Sequence, residues 1–169
     1  MNVLIDEEQI RLQIERTAAE VSRRYRGRPL LMVGILTGSF IFVADFVRAL
    51  DIPCEVCFMA ASSYGDSDVS SGDVKITRDI DRDLSKYDVI ILEDIVDTGR
   101  TLARITEMLK ERHPLSLAVI TLLDKPARRE ADLEPDVSLF TIPDLFVVGY
   151  GLDYAEKYRQ LPYIGVMDS

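Results

Sequence analysis

Apolar residues along this chain fall into two alternating patterns. The first is a set of short, nearly continuous runs at 30–36, 89–92, 117–123 and 146–148. Such runs predict strands buried on both faces. The second is a stripe that steps by three or four. Ile10, Ile14, Ala18, Val21 and Tyr25 form one stripe, which predicts a helix starting near Asp6 as N-cap, with Glu7 and Glu8 in its positive first turn and Arg23, Arg24 and Gly27 at its end. Phe40, Val43, Val47 and Leu50 form a second stripe. Leu102, Ile105, Met108 and Leu109 form a third, within a helix expected over 100–112 and stopped by Pro114. Further strands are expected at about 53–62 and 74–78, separated by a polar, small-residue segment that reads as a flexible lid loop over about 63–74. Residues 126–135 read as a charged connection. Apolar strands alternating with amphipathic helices imply one α/β domain over 1–169, a mostly parallel twisted sheet with helices on both faces.

Composition narrows the class. Hydrophobic residues make up 47% of the chain and charged residues 29%, a balance that suits a packed core. The net charge of −9 disfavours general binding to nucleic acid or anionic lipid, so basic residues must be concentrated locally if a phosphorylated ligand is to be held. No apolar run approaches the roughly 20 residues that span a bilayer. The first eight residues lack a basic region followed by an apolar stretch, so the cytoplasm is the expected location. Cys54 and Cys57 lie three apart in an expected strand, which sets them on opposite faces and favours reduced structural thiols over a disulfide or metal site. His113, before a proline at a helix end, reads as a surface residue.

In open parallel sheets, ligands collect beyond the carboxyl ends of the strands. Glu93 and Asp94 follow one such run, and adjacent carboxylates need hydroxyl donors or a cation to offset their repulsion. Asp97 then enters a turn whose Thr98, Gly99 and Thr101 open a helix. Free backbone amides, two hydroxyls and a glycine that permits close approach make an anion cradle. Helix capping explains Thr98 but neither the acid pair nor the glycine. A phosphate at one end and hydroxyls at the other describe a ribose 5-phosphate. The P-loop pattern is absent.

The stretch Val-Ile-Ile-Leu-Glu-Asp-Ile-Val-Asp-Thr-Gly-Arg-Thr-Leu at 89–102 closely resembles the phosphoribosyl-diphosphate motif of the purine phosphoribosyltransferases. Four further segments resemble the hypoxanthine–guanine branch: Gly34–Ser39, the Ser63-Tyr64 pair, Leu123–Pro126 and Phe146–Tyr154, and 158–164 is similar to the family's ending. The resemblance implies a type I phosphoribosyltransferase fold with a flexible lid and a small purine-binding hood over about 125–169. It implies a glycosyltransferase of purine salvage, moving phosphoribose from 5-phosphoribosyl 1-diphosphate to N9 of hypoxanthine or guanine with Mg²⁺. By position, it implies that Glu93 and Asp94 bind the ribose hydroxyls directly or through the metal shell. Asp97 would take the proton from purine N7, and Asp97, Thr98, Gly99, Arg100 and Thr101 would line the 5-phosphate. Leu36, Thr37 and Gly38 would hold diphosphate through backbone amides, with a cis peptide at Leu36–Thr37 for which Gly38 leaves room, and Arg159 would meet diphosphate as a fork donor. Lys125 would donate to the 6-oxo group, Phe146 would stack on the base and the Val147 backbone would read its far edge. Asp153 would help hold Mg²⁺. Ser63 and Tyr64 would close over the reacting centre. A homodimer or homotetramer is implied by the family alone.

Two positions depart from the pattern. Thr37 stands where many relatives carry a basic residue, and Arg100 replaces a common lysine with charge retained. Two other readings compete. One is a nucleic-acid-binding regulator on the same fold, which the acidic balance and the presence of both Asp97 and Lys125 disfavour. The other is an enzyme for a different base, such as xanthine or a pyrimidine; Lys125 and Phe146 favour a 6-oxopurine, but xanthine shares the 6-oxo group.

Overall fold

Backbone pairing turns each continuous apolar run into a strand of one central sheet. The computed structural model describes residues 1–63 and 74–168. Helix α1 (Glu7–Arg24) follows strand β1 (Asn2–Ile5), and its start is a reciprocal cap: the Asp6 carboxylate accepts from the Gln9 amide at 2.7 Å while the Gln9 side chain accepts from the Asp6 amide at 2.9 Å. The central sheet is built from β2 (Leu30–Leu36), β3 (Glu55–Ser63), β4 (Val74–Arg78), β5 (Asp88–Val96), β6 (Ser116–Asp124) and β7 (Val137–Thr141). Their order is β4-β3-β2-β5-β6-β7, with every neighbouring pair parallel except β3–β4. A second, antiparallel sheet orders β1, β9 (Ile164–Val166) and β8 (Val147–Val148).

Alternate strand residues feed two cores. Leu30, Met32, Ile90, Leu92, Ile120 and Leu122 pack with α1 and with α2 (Phe40–Ala49) on one face. Leu31, Val33, Ile35, Val89, Ile91 and Val119 pack with Leu102, Ile105 and Leu109 of α3 (Arg100–Lys110) on the other. Coverage on both faces explains why these strands read as continuous apolar runs. Cys54 and Cys57 are free thiols that pack against opposite cores, as their spacing implies.

The structure departs from the sequence reading in four places. Strand β5 runs on to Val96, because its pairing with β6 continues through Ile95↔Leu123 and Val96↔Asp124 after the side chains turn polar; Glu93 and Asp94 therefore lie within the strand. Helix α2 buries Phe42, Val43 and Phe46, while Phe40 is exposed, since the helix begins at Phe40 and its first side chain projects off the packed face. Strand β7 lies just beyond the charged connection, in a stretch to which the sequence assigned no element, and is held in parallel register by Ile120↔Val137. Finally, Val147–Val148 belongs to the small antiparallel sheet, while Phe146 stands outside it with over half its surface exposed.

The order of the sheet places the site. From β2 the chain crosses through α2 to β3 on one side; from β5 it crosses through α3 to β6 on the other. The direction of winding reverses between β2 and β5, so a crevice opens beyond their carboxyl ends. The core beneath it is tight, with Phe42 and Phe46 meeting edge to face at 5.7 Å. Phe46→Ala is expected to lower unfolding free energy by about 3–5 kcal/mol, against about 0.5 kcal/mol or less for Phe40→Ala; equilibrium denaturation in urea measures both.

Candidate functional site

At the crevice, β2 ends in a cis peptide between Leu36 and Thr37 followed by Gly38. A side chain at position 38 would collide with the Asp94 carboxylate, so glycine is required for this loop to pass so close to β5. Asp94 Oδ1 accepts from the Ile95 amide at 2.7 Å, and Glu93 Oε1 accepts from the Asp94 amide at 3.0 Å. The pair opens onto the crevice but is ringed by protein. Burial, and then the neighbouring Asp94 charge, push Glu93 well above the usual carboxylate range. Burial raises Asp94 too, opposed by its hydrogen bonds and by the Arg159 charge.

Beyond the pair, Asp97, Thr98 and Gly99 turn the chain into α3. Gly99 has φ 81°, a left-handed conformation, and a side chain there would press on Arg129 Cδ at 2.9 Å. The N-cap position makes no side-chain capping bond, and the Thr98 hydroxyl only approaches the Arg100 amide at 3.4 Å. The first amides of α3 are thus left to a ligand, in the positive end of the helix. The Thr98 carbonyl accepts from the amides of Glu130 and Ala131 at 2.9 and 3.0 Å, which seats the β6–β7 connection under the turn. Arg129 pairs there with Asp124, and Arg100 directs its guanidinium to Glu130 at 2.9 Å.

A second group stands on the far side of Asp97. Lys125 is buried, 6% exposed, and its backbone amide donates to the Val96 carbonyl at 2.9 Å. Its ammonium lies 3.9 Å from Asp144. Arg128, on the 3-10 turn Pro126–Arg128, donates through Nε to Asp97 Oδ1 at 2.8 Å and approaches Asp144 at 3.7 Å. Sequence reading missed Arg128, one charge among many in the connection, and Asp144, a lone acid after β7, because isolated charges carry no spacing signal. Phe146 offers an exposed ring, met edge-on by Tyr154 at 5.7 Å, and Val147 is held in β8 opposite Val166.

The chain's last third closes the crevice. A side chain on Gly151 (φ 101°) would collide with the Gly38 carbonyl, so this segment rests directly on the loop after β2. Arg159 donates to the Gly151 carbonyl at 2.7 Å and lies 3.5 Å from both Asp153 and Glu156. Asp153 also accepts from the Glu156 amide at 2.9 Å. Ser63 ends β3, and Tyr64 with the rest of the expected lid lies outside the described residues. A cleft of about 550 Å³ lies elsewhere, between α1, α2 and Tyr150–Pro162, and none of the residues named above lines it.

Comparison with known proteins agrees with this geometry. Residues 4–155 match the family described as phosphoribosyl transferase domain. The chain is 48% identical to a hypoxanthine phosphoribosyltransferase of Salmonella typhimurium, over 98% of this chain and 94% of the relative. It is 47% identical to a hypoxanthine-guanine phosphoribosyltransferase of Bacillus subtilis, over 98% and 92%. The chain belongs to the phosphoribosyltransferase family, in its hypoxanthine branch. A solved hypoxanthine phosphoribosyltransferase from Staphylococcus aureus superposes with a TM-score of 0.96 at 46% identity, covering 99% of this chain and 91% of that one.

Phosphoribosyltransferases as a class use Mg²⁺ with phosphoribosyl diphosphate. Among the described residues, no three or more acidic, histidine or cysteine side chains converge as a cage. Glu93 and Asp94 instead offer two adjacent carboxylates, each raised by burial and with no basic side chain within ion-pair distance among the described residues. That donor set fits a hard cation that takes most of its ligands from water and substrate oxygens. Asp153 sits apart, against Arg159.

The acid pair also sets a pH dependence for the ligand-free phosphoribosyltransferase. The folded state holds a proton on Glu93 that the unfolded chain, at an ordinary carboxylate value of 4.5, gives up earlier. Stability therefore falls as pH rises from that ordinary value through the raised folded one. Glu93→Gln removes this loss, and its gain in melting temperature without Mg²⁺ is expected to be larger at pH 8 than at pH 5. A gain that is the same at both pH values would show that Glu93 ionises normally in the fold.

Proposed function

We propose that this phosphoribosyltransferase salvages purines by moving phosphoribose from 5-phosphoribosyl 1-diphosphate to N9 of hypoxanthine or guanine, yielding a nucleoside monophosphate and diphosphate. The observation that carries this reading is the position of Asp97. It lies between Val96, whose carbonyl accepts from the Lys125 amide, and the turn that opens α3, and through Arg128 it is linked to Asp144, two residues before exposed Phe146. A sugar phosphate seated in the cradle and a base seated on Phe146 would meet beside one carboxylate.

In the reaction, the bond from the anomeric carbon to diphosphate breaks and the bond to N9 forms, through an oxocarbenium-like state. Asp97 accepts the N7 proton as N9 becomes the nucleophile. Lys125 donates to the 6-oxo oxygen; its burial makes that hydrogen bond selective, because an adenine amino group would leave a buried ammonium facing a donor. Thr98, Gly99, Arg100 and Thr101 hold the 5-phosphate through the helix start. Leu36, Thr37, Gly38 and Arg159 receive the diphosphate, the loop through backbone amides and Arg159 as a fork donor once it exchanges its acidic neighbours. The absence of a basic side chain at Thr37 leaves more of that work to Arg159. Glu93 and Asp94 bind the ribose hydroxyls and, with Asp153, belong to the metal's surroundings. Mg²⁺, when bound, neutralises charge building on the departing diphosphate. Ser63 and Tyr64 would cover the centre and exclude water. Phe146 stacks on the base and the Val147 backbone meets its far edge. A single domain with a hood over about 125–169, a cytoplasmic location and a homodimeric or homotetrameric state are carried with this reading from the family alone.

A panel of hypoxanthine, guanine, xanthine, adenine and uracil with phosphoribosyl diphosphate and Mg²⁺, followed by diphosphate release, tests the assignment. Turnover with the 6-oxopurines and none with adenine or uracil is expected; preference for adenine would overturn it. Asp97→Asn is expected to lower turnover about tenfold or more with little change in KM, since it keeps shape and removes the base. Lys125→Met is expected to raise the KM for hypoxanthine and to erode discrimination against adenine. Retained discrimination would show that another group reads position 6.

A further inference from the structure

Asp97 is anchored through one oxygen only. Oδ1 accepts from Arg128 Nε at 2.8 Å, and no other side chain among the described residues bonds its carboxylate. Arg128 reaches in the other direction to Asp144 at 3.7 Å, and Asp144 lies 3.9 Å from the Lys125 ammonium. The order Asp97, Arg128, Asp144, Lys125 is thus a chain of alternating charge joining the two groups assigned to N7 and to the 6-oxo oxygen. Its backbone frame is short. Lys125 and Arg128 sit three apart on one 3-10 turn, where side chains at that spacing stack on the same side, and the Arg128 amide donates to the Lys125 carbonyl at 3.1 Å. The turn is tied by the Lys125 amide to Val96, the residue before Asp97.

We propose that Arg128 is the positioning residue for the proton-accepting carboxylate: it fixes Asp97 through Oδ1 and leaves Oδ2 to meet the incoming base, in register with Lys125. A planar guanidinium set between two carboxylates restricts direction as well as distance, which an ammonium does not. Side chains of Arg128 and Asp97 are 47% and 43% exposed. An ion pair so open to solvent contributes little to folding, so its consequence lies in geometry. Small misplacements of a reacting group are costly in rate. This inference rests on Asp97 acting as the base.

The test is a cycle of four proteins, native, Arg128→Gln, Asp97→Asn and the double variant, with Arg128→Lys alongside. Arg128→Gln is expected to lower kcat about tenfold, with KM for phosphoribosyl diphosphate changed by less than about twofold and the melting temperature unchanged. In the Asp97→Asn background the same substitution is expected to cause no further loss, because nothing remains for Arg128 to aim. Arg128→Lys is expected to recover only part of the rate. Native kcat in Arg128→Gln, an equal loss in both backgrounds, or full recovery by lysine would each overturn the positioning role. If Asp97→Asn alone leaves kcat unchanged, the base assignment itself fails, and with it this inference.

Discussion

Three segments of this protein meet within the width of one missing side chain. The Asp94 carboxylate of β5 occupies the space that a side chain at Gly38 would need, and the Gly38 carbonyl occupies the space that one at Gly151 would need. The loop after β2, the middle of β5 and the final third of the chain are thereby held in mutual contact. Hydrophobic packing cannot set such a junction, because it lies above the sheet where side chains turn polar. The two missing side chains permit it, and Arg159 ties it by donating back to the Gly151 carbonyl. Tyr150, next in sequence, reaches Asp45 on α2 with its hydroxyl, so the last third of the chain also grips the helix that the loop after β2 begins. The loop is therefore braced on both sides, and the site's acid pair forms one of its walls.

That arrangement has an electrostatic consequence. Two carboxylates that ionised freely would repel each other and the phosphates of the donor substrate. Their placement in β5, ringed by protein, pushes both proton affinities upward. In the free protein, part of the acid pair's charge is withheld. A cation bound there would stabilise the ionised forms, so the pair would take on charge only as the metal and substrate arrived.

How much of this was legible in the residues depended on whether local pattern or distant pairing decided each feature. Leu30–Leu36 and Val89–Leu92 could be read because burial on both faces leaves no polar alternation, and α1 because the N-cap Asp6 precedes an apolar stripe at helical spacing. The turn at Asp97–Thr101 could be read because an acid, two hydroxyls and a glycine cluster in sequence just before a helix stripe, and Gly99 indeed takes φ 81° at the start of α3. Strands β1, β7 and β9 are only three to five residues long and exist by pairing, β1 with β9 from opposite ends of the chain and β7 with β6, so no local pattern marks them. The continuation of β5 through Glu93 and Asp94 is likewise a property of β6 lying beside it. The α2 stripe was misjudged by its choice of face, since Ile41, Phe42, Val43, Phe46 and Val47 leave apolar residues on several sides and only the sheet decides which are covered. Burial of Lys125 and the pairing of Arg128 with Asp97 follow from where the β6–β7 connection crosses the turn, which composition does not encode.

The same crossing shows how an acidic protein can hold a polyanionic substrate. Among the described residues, the cations named at the site are matched to acids: Arg159 to Asp153 and Glu156, Lys125 and Arg128 to Asp144, Arg128 also to Asp97, Arg129 to Asp124 and Arg100 to Glu130. Such pairs keep the crevice from presenting a bare positive field that would draw any phosphate. On the proposed reading, a ligand would have to exchange with an acid to engage a guanidinium, and only one that also filled the helix start and the base position would recover what that exchange costs. Specificity would then come from requiring several exchanges at once. The backbone amides at Leu36–Gly38 and at the start of α3 suit this scheme, because they attract phosphate through fixed dipoles and carry no net charge of their own.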